Sequence, residues 1–94
     1  MIKIKEKDNK IIISGHASFD EYGKDIVCAS VSSIVITSIN AILRYNNKAI
    51  KYTNGDELVI EILKKDEIVN LLITNMLELL KELEKQYPEN IRRC

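Results

Sequence analysis

The chain has little of what active sites are usually built from. Its 94 residues include one histidine, two cysteines, three glycines and one proline, and its fourteen basic residues balance fourteen acidic ones. Each shortage excludes a class. Two cysteines cannot make the disulfide framework of a small secreted domain. With no apolar leader after Met1 they are expected to be free thiols in a cytoplasmic protein. The same count falls short of the four ligands of a structural zinc site, so no metal and no cofactor is expected. The glycines follow neither Walker nor dinucleotide spacing. A formal net charge of zero argues against nucleic acid as a direct partner, because such binding rests on many cation–phosphate contacts. The pairs Lys64-Lys65 and Arg92-Arg93 read as ordinary solvated surface. The last shortage is local, since residues 26–43 carry no charge. That length suits a membrane span, but Ser30, Ser32, Ser33, Thr37, Ser38 and Asn40 interrupt it. A buried helix of a soluble domain is expected instead, with no membrane partner.

What is present reads as one globular domain over residues 1–94, with 46% hydrophobic and 30% charged residues. Ile2 and Ile4 alternate with Lys3 and Lys5, as in a half-buried strand. Residues 7–10 form a polar turn into a second strand, Ile11-Ile12-Ile13, which makes a hairpin. Residues 14–24 read as a loop. Asp25 then suits a helix N-cap, and Val31, Val35, Ile39 and Ile42 mark one face of the helix that follows. Its β-branched residues favour strand locally, but a run of about 20 residues exceeds a usual strand. Asn46-Asn47 closes it. Strands over 49–53 and 57–63 are joined through Asn54-Gly55, the strongest hairpin signal in the chain. A second helix spans 66–87, with Val69, Leu72, Met76, Leu79, Leu80 and Leu83 on its apolar face and Pro88 as its stop. The expected fold is α+β in the order ββαββα: a four-stranded, mainly antiparallel sheet with two helices packed on one face.

The rare residues concentrate in one stretch. Residues 15–32 hold the single histidine, His16, one of the two cysteines, Cys28, and two of the three glycines, Gly15 and Gly23. With Asp25 as N-cap, Cys28 takes the third helical position, where amide dipoles and free N–H groups favour a thiolate. The first-turn N–H groups of Val27 to Ala29 can then serve as an oxyanion hole. A loop from His16 to Cys28 can close on itself and bring imidazole to sulfur, the minimum pair for nucleophilic catalysis. The bland alternatives stay open: a cysteine in an apolar helix as a small hydrophobe, a loop histidine as a solvated side chain. Asp25 has two open roles, helix cap or third residue orienting the histidine. Gly15 and Gly23 read as hinges.

Those residues carry a resemblance. Gly15-His16-Ala17, a short loop, and then Gly23-Lys24-Asp25-Ile26-Val27-Cys28-Ala29-Ser30-Val31-Ser32 are similar to the signature of the ribosomal-processing cysteine protease family, Prp. The element order and the closing Tyr87-x-x-Asn90-Ile91 region are compatible with it. The resemblance implies one cysteine protease domain with Cys28 as nucleophile, His16 as its base, and Asp25, Gly15 and Ala29 in support. It implies removal of an N-terminal extension from a large-subunit ribosomal protein, with cleavage after an aromatic residue. It also implies a homodimer, and a substrate-shaping loop that here contains Phe19, Tyr22 and Gly23. The loop is expected to order on peptide binding, with His16 and Cys28 beyond hydrogen-bond reach before that. The rival is a non-catalytic ribosome-associated or assembly module in which Cys28 is only structural. Cys94 is expected to be exposed and dispensable.

Overall fold

In the computed structural model, residues 1–15 and 24–93 are described, those at 24, 25 and 93 through the backbone only. Strand β1 (Ile2–Lys7) turns through Asp8 and Asn9 into β2 (Lys10–Ser14). Asp8 takes a left-handed φ of 54°, a conformation that a short polar side chain tolerates. Helix α1 (Lys24–Tyr45) follows, then the hairpin β3 (Ile50–Asn54) and β4 (Glu57–Ile62), helix α2 (Glu67–Gln86) and strand β5 (Ile91–Arg93). The described residues thus make an α+β fold with a five-stranded sheet in the order β3-β4-β2-β1-β5.

The fifth strand corrects the expected four. It pairs in parallel with β1, Ile2 opposite Ile91, and the Ile2 N–H donates to the Asn90 carbonyl at 2.8 Å. Three residues, two of them arginines, are too few to show alternation, so only pairing with β1 identifies them as strand. The chain reaches that position because α2 stops before Pro88. The Tyr87 N–H still donates to Leu83 O, and the Asn90 and Ile91 N–H groups donate to Tyr87 O.

Alternation aims Ile2 and Ile4 of β1, Ile11 and Ile13 of β2 and Ile60 of β4 to one side, where both helices cover them. From α1 that core receives Val27, Val31, Val35, Ile39 and Ile42, the face expected from spacing together with one further turn. Burial overrides the weak helix propensity of these residues. Each fully buried Ile or Val contributes about 1.5–3 kcal/mol, against propensity costs of at most about 0.7 kcal/mol. Ser38 reaches the same interior because its hydroxyl donates to Ile34 O at 2.7 Å, one turn back in the helix. By length and composition α1 could cross a membrane, yet this face is the centre of the core.

On α2 the buried residues are Val69, Ile73, Met76 and Leu80. The expected face is therefore rotated. Leu79, placed inside by its spacing, is 44% exposed, and Ile73, left off that face, is 7% exposed. Leucine occurs nearly all round this helix, so composition alone does not centre the stripe. Asp66 caps the helix with its carboxylate accepting the Val69 N–H at 2.9 Å.

Candidate active site

Cys28 is a free cysteine of intermediate burial on α1, next to the core residues Val27 and Val31. It lines a cavity of about 160 Å³ between α1, the start of β1, the end of β2 and the β3–β4 turn. The inner wall is apolar, with Ile2, Ile13, Val31, Val35 and Leu58. The rim carries Ser32 from α1 and Asn54, Gly55 and Asp56 from the turn. A dry cavity of about 150 Å³ accepts a benzene ring, so this space matches one large apolar side chain.

Gly15 lines the same cavity, immediately after β2. Its φ is +79°, and a Cβ at this position would overlap the Met1 carbonyl oxygen. Two constraints therefore require glycine here: a left-handed backbone and the close approach of β1. Among the expected site residues, the supporting Gly15 and the nucleophile Cys28 share one wall. Ala29 does not. It is exposed and lines a shallow groove with Ile26, Ser30, Ser33, Ile34 and Leu83, on the side of α1 turned away from the cavity.

The helix start differs from the expected one. Lys24 is already helical, so Asp25 lies within the first turn and does not cap it. In a helix that includes Lys24, the Cys28 N–H bonds to the Lys24 carbonyl and the Ala29 N–H to that of Asp25. Those two amides are committed to the ladder and are not free to form an oxyanion hole, while the acceptor of the Val27 N–H would be residue 23, outside the described residues. The expectations placed on His16, Phe19, Tyr22, Gly23 and Cys94 lie outside the described residues, as does the side chain of Asp25. Among the described residues no three His, Cys, Asp or Glu side chains cluster.

Sequence reasoning did not find the rim. Asn54-Gly55 signals a hairpin, and the structure has one: Asn54 is opposite Leu58, and the Gly55 N–H donates to Glu57 O at 3.1 Å. Nothing in that signal says that the turn comes to rest beside Cys28. The β2–β4 pairing does this, setting Ile13 opposite Leu58 and Ser14 opposite Glu57.

A family model described as cysteine protease Prp matches residues 1–92. The ribosomal processing cysteine protease Prp of Staphylococcus aureus is 37% identical over 90 residues, which cover 92% of this chain and 85% of that protein. The protein of the same name from Bacillus subtilis is 29% identical over 101 residues, covering 95% and 90%. Two crystal structures of Prp from S. aureus superpose closely. The complex with a substrate peptide gives a TM-score of 0.84 at 30% identity, covering 99% of this chain and 95% of that one. The complex with a covalently linked product peptide gives 0.81 at 32%, covering 98% and 94%. A free cysteine on the wall of a side-chain-sized cavity, in this fold and with these relatives, leads to one conclusion: the chain belongs to the cysteine protease Prp family and is a cysteine peptidase.

Proposed function

We propose that this cysteine peptidase removes the N-terminal extension of a large-subunit ribosomal protein, with Cys28 as nucleophile and His16 as base. The observation that carries the reading is the cavity wall shared by Cys28 and Gly15, two residues of the signature. The cavity takes the apolar, preferably aromatic, side chain that precedes the scissile bond, and this sets the carbonyl carbon beside Cys28 Sγ. The imidazole of His16 accepts the thiol proton as sulfur attacks, and the carbonyl becomes a tetrahedral oxyanion. Collapse breaks the C–N bond. The leaving amine takes the proton from the imidazolium, and the acyl group stays on Cys28 as a thioester. His16 then deprotonates a water that hydrolyses the thioester and restores the thiol. Asp25 supports the site by orienting the His16 imidazole, and Phe19, Tyr22 and Gly23 belong to the loop that closes over the peptide. The relatives' complexes with substrate and product peptides support a peptide as ligand.

The protein acts in the cytoplasm as a homodimer, without cofactor. Mixing it with a ribosomal-protein extension peptide and following the products by mass spectrometry tests the reading. Cleavage after an aromatic residue is expected from the parent chain and none from Cys28→Ser. An intact peptide in both would favour the non-catalytic binding module.

A further inference from the structure

The outer face of the sheet, opposite the helices, carries charge mainly of one sign. Alternation sends Lys3, Lys5 and Lys7 of β1 outward, and strand register adds Lys10 of β2, Lys51 of β3 and Arg92 of β5. All six are exposed. Only Glu57 and Glu61, both on β4, oppose them within the paired rows. Register also sets like charges directly opposite one another, Lys3 against Arg92 and Lys7 against Lys10. Such pairs destabilise a sheet, and no ion pair relieves any of the six among the described residues. Solvation alone does not require this arrangement, since β4 carries carboxylates at equivalent positions. The zero net charge of the chain therefore conceals a segregated one.

We propose that this face docks the phosphate backbone of double-stranded RNA. Five of the six cations are lysines, which suit phosphate as flexible point charges and are depleted from protein–protein interfaces. That composition argues against a second copy of the chain or an acidic protein as the occupant. No aromatic side chain lies in the paired rows of this face, so it has no platform for stacking unpaired bases, and recognition goes to the backbone, independent of sequence. The choice of RNA over DNA rests on the ribosomal reading above; the phosphate docking itself does not. The docked enzyme would present the opposite, helix-covered side and its cavity to a protein chain emerging from the same particle.

The test uses the Cys28→Ser chain, so binding is read without cleavage. Fluorescence anisotropy with a labelled RNA duplex of about 20 base pairs is measured between about 50 and 200 mM salt. Expected are sequence-independent binding, an affinity that falls by at least about tenfold across that range, and a further loss of about tenfold or more in Lys3→Glu/Lys5→Glu/Lys10→Glu. The control Lys81→Glu/Lys85→Glu on α2 should bind like the parent. Peptide cleavage by the triple variant carrying Cys28 should be unchanged, which separates this proposal from the protease reading. The corresponding Lys→Gln triple reads the same loss if the glutamates impair folding. Equal binding by parent and both triples, or no RNA binding at the lower salt, would overturn the proposal. So would stronger binding to anionic lipid vesicles or to a DNA duplex.

Discussion

Gly15 and His16 are neighbours in the chain with different expected behaviour. Gly15→Ala places a Cβ in a left-handed backbone and against the Met1 carbonyl. The conformation alone costs roughly 1–2 kcal/mol, and relief of the overlap requires β1 to move. A lower urea midpoint is expected, and a midpoint equal to the parent's would contradict the reading of this position. His16→Ala should instead keep the folded midpoint and lose about 10²–10⁴-fold in peptide turnover, the usual worth of a general base. Near-normal turnover would remove His16 from the mechanism. Cys94→Ser should leave turnover intact, where Cys28→Ser abolishes it. At this scale the stretch that holds histidine and cysteine was legible because rare residues stand out. The steric need at Gly15 was not, because it depends on a strand that touches it only after folding.

At the scale of the element, Asp66 joins the two helices. Its carboxylate caps α2 through Val69 and accepts the Tyr45 hydroxyl, from the end of α1, at 2.6 Å. The Tyr45 hydrogen bond first, and the Val69 N–H second, hold the Asp66 carboxyl below the usual carboxylate range. The same bond raises the Tyr45 phenol above its ordinary value. The sign follows from linkage. A lowered carboxyl contributes stability that is complete above its unfolded pKa and disappears as pH falls through the folded one. A raised phenol contributes below its unfolded pKa and ceases to as pH rises through the folded one. Asp66→Asn should therefore lower the thermal midpoint at neutral pH, and its deficit against the parent should shrink in acid. Tyr45→Phe should lower it less, because the cap remains. A deficit independent of pH would show that the carboxylate charge is not what matters. Solvent screens both groups, so the effects are modest.

For the whole molecule, the exposed surface of α1 and α2 includes single apolar side chains, among them Ile26 and Ile36 of α1 and Leu71 of α2, which is 64% exposed. A homodimer would cover part of it, and sedimentation at micromolar concentration should show one; monomer alone would refute it. Hydrogen exchange over residues 17–23, with and without a non-cleavable peptide, tests the proposed ordering of the loop. Protection should rise with peptide, and equal protection in both states would rule out gating. By itself the sequence determined the element types, both hairpins, the core faces of β1, β2 and α1, and the stretch in which the chemistry concentrates. These follow from local causes: a period of two or near 3.6, turn residues, and the scarcity of reactive side chains. Tertiary structure alone decided that residues 91–93 are a strand, that Leu79 faces outward, and that the Asn54–Asp56 turn forms the rim of the Cys28 cavity. It also decided that six cations share one face of a chain with no net charge. Each of these depends on which distant segment a strand or helix packs against, and periodicity records the buried side of a segment without naming its partner.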